Sequence, residues 1–336
     1  MRRILITGGS GTVGKEVLKQ LLETPSEFEI TAFDVKTAES RSFYRKSGKK
    51  INVVYGNISN RNDVSEVCKD KDIVIHLAAI IPPLADRLPQ LARDVNVTGT
   101  KNLIECIGEL SPEAFFIYSS SISVYGDRNA NPFIKTSDPL KPSNRDEYAR
   151  TKIEAEELIR NSRLKWTIFR LTAIMGVDNH KPSGIMFHMP LDSHLEIATP
   201  ADTGRAFVNA LNHLDVLNGN IYNLSGGEKC RIDYSDFLTR SFELFGLGKP
   251  DFADNSFARK NFHCGYYADG NILNDILYFR RDTIEDYFKK VKNSISPIRK
   301  ILSGILRKII IANLQRKSEP LAAVKLNISK DIEHFF

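Results

Sequence analysis

Residues 2–23 read RRILITGGSGTVGKEVLKQLLE. Across this stretch the pattern changes from strand to helix. Ile4, Leu5 and Ile6 form an unbroken apolar run, as in a strand covered on both faces. From Thr12 onward the apolar residues take the spacing of an amphipathic helix. Gly8, Gly11 and Gly14 punctuate the junction at intervals of three. Glycines there let the backbone turn tightly and approach a pyrophosphate, whose charge rests on the helix N-terminus. Asp34 lies 20 residues beyond Gly14, at the end of the next apolar run, FEITAFDV. A carboxylate at that place can accept hydrogen bonds from a ribose diol and repels a 2′-phosphate. The stretch therefore predicts a dinucleotide site that prefers NAD to NADP, with Thr12 and Val13 joining the three glycines around the cofactor.

The same alternation continues outward. KINVVYGNI, KDIVIHLAA, EAFFIYSSS and KWTIFRLTAI are apolar runs separated by helical stretches. This is the pattern of an α/β chain with a Rossmann-like, doubly wound parallel sheet. After Gly176 the regularity fails. VDNHKPSGIMFHMPLDSH reads as a loop, TPADTGRAFVNALNHL as a helix with Asp202 near its N-cap, GNIYNLSGGE as a strand and turn, and DYSDFLTRSFELFG as a helix. The expected division is a cofactor-binding domain over 1–176, a smaller mixed substrate lobe over 177–290 and a basic amphipathic extension over 291–336. Strands of the smaller lobe are free to return to the main sheet.

Composition excludes several classes. The chain is 42% hydrophobic and 26% charged, which suits a folded rather than a disordered protein. Cys68, Cys106, Cys230 and Cys264 lie far apart with no C-x-x-C pair, so reduced thiols in a cytoplasmic protein are expected, not disulfides or zinc. The histidines have no carboxylate at ligand-like spacing, and no metal is expected. His76 reads as structural. His180, His188 and His194 fall in the segment expected to cover a substrate. MRRILITGG is too short in its apolar run for a signal peptide, and no stretch reaches the ~20 apolar residues that span a bilayer. The net charge is +6, yet nine Lys or Arg and no acid lie between Lys289 and Lys317. Subtracting those nine leaves the remainder at −3, so the charge gives no argument for nucleic-acid binding.

Residues 116–126, FIYSSSISVYG, end a buried-looking strand in three serines. Either this is a polar strand end or it aims a hydroxyl at chemistry. Downstream, DEYARTKIEAEELI carries Tyr148 and Lys152, which share one helix face at i and i+4. A lysine cation beside a phenol favours the phenolate, and a serine hydroxyl nearby can hydrogen-bond a substrate oxygen. Ser, Tyr and Lys together can move a proton on or off a carbinol while a hydride passes to a nicotinamide.

With those pieces in place the chain resembles the extended short-chain dehydrogenases/reductases of the NAD-dependent sugar epimerase/dehydratase type. The resemblance runs from about Ile4 to Gly246, on TGGSGTVG, DV at Asp34, GNI at Gly56, HLAA at His76, NVTGTKNL at Asn96, SSSISVYG and YARTK. Later echoes are FRLTAIMG, PADTGRAF and YNLSGGE. It implies an enzyme in which Ser121 faces the substrate, Tyr148 is the acid/base and Lys152 is its partner on the nicotinamide ribose. Asn57 and Ile58 would flank the adenine. Leu77, Ala78, Ala79 and Asn96 would line or support the cofactor channel, and Ser119 would lie under the nicotinamide, while Ser120 serves structure. The implied reaction is epimerisation of a sugar or nucleotide-sugar by transient oxidation and re-reduction at a hydroxyl carbon. A one-way NAD(H)-dependent reductase or dehydrogenase on a non-nucleotide substrate and a non-catalytic dinucleotide sensor stand as alternatives. Three departures matter. Ile122 and Ser123 replace the acidic pair of the dehydratase branch. Ser123 also replaces the cysteine of the branch that epimerises two carbons. Ala173 replaces the asparagine that holds a substrate diphosphate. The implied partners are a small-molecule substrate and a second copy in a homodimer.

In the extension, Ser296 reads as an N-cap and Pro297 as the first helical residue. Apolar residues recur at 295, 298, 302, 305, 309 and 312, flanked by basic residues. Two readings stay open: a helix docked on the body or on a second subunit, or one lying on an anionic membrane surface, at the inner face of the membrane.

Overall fold

The computed structural model describes residues 1–24, 26–47, 50–177 and 182–336. Its centre is a seven-stranded parallel sheet. The strands are β1 (Arg2–Thr7), β2 (Phe28–Asp34), β3 (Asn52–Tyr55), β4 (Ile73–His76) and β5 (Phe115–Ser121). After the short β6 (Phe133–Ile134) come β7 (Lys165–Leu171), the two-residue β8 (Ala173–Ile174), β9 (His194–Ala198) and β10 (Asn220–Leu224). Sheet order is β10-β7-β5-β4-β1-β2-β3. The chain winds outward from β1 to β3 and then crosses to β4 on the other side of β1. Ligands bind at such a reversal, outside the carboxyl ends of the strands.

Alternation within each strand feeds two cores. Ile4, Ile6, Ile73, Ile75, Phe115 and Ile117 join one cluster with helices α1 (Thr12–Leu21) and α2 (Ala38–Ser47). Leu5, Val74, Phe116 and Tyr118 join the opposite cluster with α3 (Arg61–Cys68). Two short helices, α4 (Leu84–Arg87) and α5 (Pro89–Arg93), lead through a π-helical turn at Asp94–Thr98 into α6 (Gly99–Leu110), and α7 (Glu147–Arg160) carries Tyr148 and Lys152. Leu103 and Ile107 of α6 and Ala155 and Ile159 of α7 complete the second core. Burying each such Leu or Ile side chain contributes about 1.5–3 kcal/mol, so both layers hold the strand tips in fixed register.

The smaller lobe follows a different logic. The helix α8 (Pro200–Ala210) packs back on α1, and β10 returns to the main sheet after α9 (Leu214–Leu217). Strand β11 (Arg231–Asp233), β9 and β8 form a second sheet, while β12 (Tyr266–Tyr267) pairs with β6. Helices α10 (Tyr234–Leu244) and α12 (Ile284–Ser294) pack on it, while α11 (Asn271–Leu277) joins the first core beside β10 and α8. The N-cap of α8 is Thr199, whose hydroxyl accepts the Asp202 N–H at 3.2 Å. Asp202, expected near the N-cap, is the third residue of the helix. Its carboxylate is buried and accepts the N–H groups of Arg281 and Asp282, each at 2.9 Å.

The extension folds as four short helices: α13 (Pro297–Ile305), α14 (Arg307–Gln315), α15 (Glu319–Lys325) and α16 (Ser329–Phe335). Ser296 caps α13 through the Arg299 N–H at 3.2 Å, with Pro297 at the first helical position. The apolar stripe does not run along one helix, because α13 ends at Leu306. Leu314 of α14, with Ile310 and Ile311 beside it, packs on Phe187, Phe242 and Leu247.

Candidate active site

The residues singled out for the cofactor lie at or just beyond the carboxyl ends of β1 to β5, apart from Asn96 in the π-helical turn and Tyr148 and Lys152 on α7. Gly8 has φ +70, and a Cβ there would lie 2.7 Å from the Ala78 backbone. At Gly14 a Cβ would lie 2.4 Å from the Gly8 carbonyl oxygen. Only glycine lets this loop close against both β4 and α1. Thr12 opens α1, exposed, and Val13 packs on the core below. Gly11 precedes α1 in extended conformation, and no side chain caps the helix. Its first N–H groups therefore carry the positive end of the helix dipole toward the loop.

Asp34 is largely buried, and its carboxylate is already organised. Oδ2 accepts the Ser10 N–H at 2.8 Å and the Tyr44 hydroxyl at 3.0 Å, and Oδ1 accepts the Val35 N–H at 2.9 Å. The Tyr44 hydroxyl lies under the glycine loop, where a Cβ on Gly9 would approach it to 2.6 Å. Burial, then the charge of Asp34, pushes the Tyr44 pKa up and keeps it a donor. Sequence reasoning missed Tyr44, since a tyrosine within the polar helix α2 carries no motif. Beyond β3, Asn57 is exposed and its Oδ1 accepts the Ser59 N–H at 3.0 Å. Ile58 is 5% exposed and packs under Gly99.

The tip of β4 is held by hydroxyls. His76 is fully buried, with Nδ1 2.7 Å from the Thr7 hydroxyl and Nε2 2.9 Å from that of Thr100. Burial, then Lys152, lowers its pKa to about 3, so it stays neutral and structural. Thr7 accepts the Ala78 N–H at 3.2 Å, and Leu77 donates to the Thr7 carbonyl. Leu77, Ala78 and Ala79 are thereby laid beside Gly8, each half-buried. Asn96 does not open onto a channel. It accepts the Ile80 N–H at 2.8 Å, donates to the Ile80 carbonyl at 3.0 Å and donates to Thr151 at 2.9 Å, tying this loop to α7.

The three serines divide three tasks. Ser119 Oγ donates to the His76 carbonyl at 3.1 Å, while its own carbonyl accepts Lys152 Nζ at 2.7 Å. Ser120 turns away and bonds Glu156, which pairs with Arg170 at 3.0 and 2.7 Å in a buried network reaching Tyr125. Ser121 Oγ accepts the Ser123 N–H at 3.2 Å, and its hydroxyl lies near enough to Tyr148 to favour the ionised phenol. The Tyr148 ring packs between Ala85 and Ala92. Lys152 Nζ lies 5.7 Å from the centroid of that ring and 4.7 Å from that of Tyr118. Burial lowers Lys152 to about 7, with Glu156 opposing. Burial likewise raises Tyr148 well above an ordinary phenol, only partly offset by Ser121. The protein alone therefore holds a protonated phenol.

Beside this constellation lies a cavity of about 460 Å³, lined by Asp86, Asp146, His188, His263, Glu319 and His334 among others. Asp146 caps α7 through the Ala149 N–H at 2.8 Å, two residues before Tyr148. His263 Nδ1 lies 3.1 Å from Asp146 Oδ2, and His188 Nε2 lies 3.2 Å from Glu319 Oε2. Asp86 is raised to about 6 by burial and then by Asp146. The end of the chain thus forms one wall next to α7, which no motif in the extension announces. His194 lies apart, bonded to Asp233 at 2.9 Å on β9 and β11. His180 lies outside the described residues. Ala173 on β8 faces an apolar cluster with Met189 and Leu195. Among the described residues no group of three His, Cys, Asp or Glu is arranged to hold a metal, and the four cysteines are buried and unpaired.

A parallel sheet with a glycine loop at its switch point, and a serine, tyrosine and lysine gathered at the neighbouring strand tip, defines a short-chain dehydrogenase/reductase of the extended type. The chain belongs to the NAD dependent epimerase/dehydratase family, which matches residues 4–197. Among curated proteins it is similar to 3 beta-hydroxysteroid dehydrogenase type 7 of Rattus norvegicus, 26% identical over 159 residues, covering 46% of this chain and 47% of that protein. It is also similar to 3-beta-hydroxysteroid dehydrogenase of Mycolicibacterium neoaurum, 31% identical over 164 residues, covering 47% of this chain and 42% of that one. The chain thus spans about half the length of the curated relatives it matches. Among solved structures, UDP-glucuronic acid 4-epimerase from Bacillus cereus, in complex with UDP-glucuronic acid and NAD, superposes with a TM-score of 0.72. Identity there is 19%, with coverage of 87% of this chain and 100% of that one, so the likeness is one of fold.

Proposed function

We propose that this protein is an NAD-dependent epimerase of a sugar-like, polyhydroxylated substrate, acting through Ser121, Tyr148 and Lys152. The observation that carries the reading is the gathering of Ser121 and Tyr148 at one strand tip, with Lys152 anchored on the Ser119 carbonyl at 2.7 Å. The residues present fit a dinucleotide: the Gly8–Gly14 loop leaves room for backbone approach, the uncapped α1 N-terminus supplies donors, and the Asp34 carboxylate is oriented by Ser10 and Tyr44. Gly11, Thr12, Val13, Asn57, Ile58 and Leu77–Ala79 complete the proposed cofactor contacts, with Asn96 as a support behind them.

When bound, NAD supplies a hydride acceptor for the carbinol carbon and can return the hydride. Ser121 holds the substrate oxygen by a hydrogen bond. Tyr148 takes the hydroxyl proton as the carbinol is oxidised and gives it back on reduction. A positive charge brought beside the buried phenol lowers its pKa and makes the first of these steps accessible. Lys152, held on the Ser119 carbonyl, places its ammonium beside the phenol and the nicotinamide ribose. The polar walls of the cavity beside α7 suit a polyol. Ala173 and the apolar cluster around it offer a diphosphate no donor, so the substrate class proposed is sugar-like and does not rely on a nucleotide.

The same apolar cluster, together with the hydroxysteroid dehydrogenases among the matched relatives, favours a second reading: a one-way NAD(H)-dependent dehydrogenase or reductase of a less polar alcohol. Purified protein incubated with NAD and a panel of sugars and sterol-like alcohols separates them. The epimerase reading expects an inverted product with no net reduced nicotinamide. Stoichiometric reduced nicotinamide with a ketone product would overturn it in favour of the dehydrogenase. The division at 176 and 290, and assembly as a homodimer, remain part of the proposal.

A further inference from the structure

Two adjacent helices of the extension treat their apolar residues in opposite ways. In α14, Ile310, Ile311 and Leu314 turn inward onto Phe187, Phe242 and Leu247. In α13 no residue is buried. Ile298, Ile301, Leu302 and Ile305 recur at steps of three and four, the spacing of one helix face. They are 71%, 64%, 51% and 74% exposed, and Ile309 at the start of α14 prolongs the face at 60%. The opposite side of α13, which meets the body, is made of small and polar groups. Gly304 and the Lys300 carbonyl close on Gly246. Arg307, immediately after, donates to the carbonyls of Leu247 at 2.6 Å and Lys249 at 3.0 Å. The helix is thus fastened by its polar side with its apolar side outward. An isolated exposed leucine is ordinary; a row of four or five along one helix marks an interaction surface.

Charge selects the occupant. Between Asp286 and Glu319 the sequence holds nine Lys or Arg and no acid. Among the described residues Lys289, Lys292, Arg299, Lys300 and Lys308 form no ion pair; Arg299 follows Ile298 on α13, its guanidinium 5.8 Å from the centroid of the Phe245 ring, and Lys308 precedes Ile309 at the start of α14. The remaining chain has a net charge of −3. In a symmetric pair of copies this segment would face its own equally basic counterpart. No helix among the described residues is long and apolar enough to cross a membrane. An apolar face bordered by cations, on a helix held parallel to the surface of its own body, is the signature of a helix lying in the plane of a lipid headgroup layer.

We propose that α13 and the first turn of α14 dock this protein on an anionic phospholipid surface, apolar face inserted and Lys/Arg rim against the headgroups. Full-length protein is sedimented with vesicles of phosphatidylcholine carrying about 30% phosphatidylglycerol, and with phosphatidylcholine alone. The account predicts binding to the anionic vesicles at low salt and release at high salt, because headgroup attraction is screened. The double variant Ile301→Glu, Ile305→Glu alters only outward side chains. It should bind at least about tenfold more weakly, with an unchanged thermal midpoint and unchanged molecular mass in solution. Arg299→Gln with Lys308→Gln should also weaken binding and flatten its salt dependence. Failure of the wild-type chain to bind anionic vesicles would overturn the proposal, as would equal binding to neutral ones. A fall in oligomeric mass on the Ile301→Glu, Ile305→Glu change would overturn it too, by assigning the face to a second copy.

Discussion

The two sides of the cleft are held by different means. On the cofactor side, backbone register does the positioning. Parallel strands β1 to β4 end within one residue of one another, β5 runs three residues further, and the tight contacts among Gly8, Gly14 and Ala78 follow from local geometry. On the substrate side, short strands are tied by buried carboxylates reaching across long sequence separations. Glu196 accepts from the Ser225 hydroxyl, from the N–H groups of Gly227 and Tyr267 at 3.0 Å each, and from Arg231 Nε at 3.0 Å. Asp202 fastens residues 281–282 in the same way. A site assembled by register can be exact while its neighbour, assembled by side-chain hubs, remains free to change substrate.

Breaking a hub should therefore hurt far more than removing a charge next to it. Arg231 meets two carboxylates, Glu196 with no side-chain exposure and Glu228 with 81%. Glu196→Ala strands the buried Ser225 hydroxyl, two buried N–H donors and one side of the partly buried Arg231 guanidinium, and should cost about 3–5 kcal/mol in denaturant unfolding. Glu228→Ala should cost no more than about 0.5 kcal/mol. Similar losses for both would erase the distinction drawn between the two sides.

The catalytic lysine tests the cofactor side through its cost. Burial holds Lys152 at about 7, below its value in the unfolded chain. Below pH 7 both states are protonated and the folded state bears the full penalty of a buried charge. As pH rises from 7 toward the unfolded pKa the unfolded chain binds more protons, so stability increases across that window. Lys152→Met should raise the thermal midpoint at pH 6.5 by at least about 2 °C, with the gain shrinking toward pH 10. A midpoint lowered by the substitution at both pH values would show that Lys152 stabilises the fold instead.

A smaller effect concerns cofactor choice. With Asp34 fixed by Ser10 and Tyr44, NAD should bind at least about tenfold more tightly than NADP, a difference of about 1.4 kcal/mol. Asp34→Ala should bring the two affinities within about threefold in a fluorescence titration. Equal affinities in the wild-type protein would remove Asp34 from the ribose.

What was legible in the sequence follows the same divide. The apolar runs of the main sheet, the helix after the glycines, and Tyr148 and Lys152 at i and i+4 are local patterns, and each element appears where its pattern lies. Asn96 reads as lining or support, and the structure makes it support, because its amide is consumed by Ile80 and Thr151. Tyr44, the capping by Thr199, and the wall formed by Glu319 and His334 were not legible. Each depends on a partner brought near by tertiary packing, with no spacing rule to reveal it. The protonation of Tyr148 belongs here too: its pKa is set first by burial, which depends on tertiary packing.

The central claim is that Tyr148 exchanges the substrate proton while the fold around it binds NAD. Tyr148→Phe removes the hydroxyl and leaves the ring to pack between Ala85 and Ala92. The decisive measurement is turnover of this variant on a substrate of the wild-type protein, with NAD affinity titrated on the same sample. The account predicts NAD affinity within about threefold of wild type and turnover reduced about 100- to 10,000-fold. Turnover at the wild-type rate with NAD bound would contradict it.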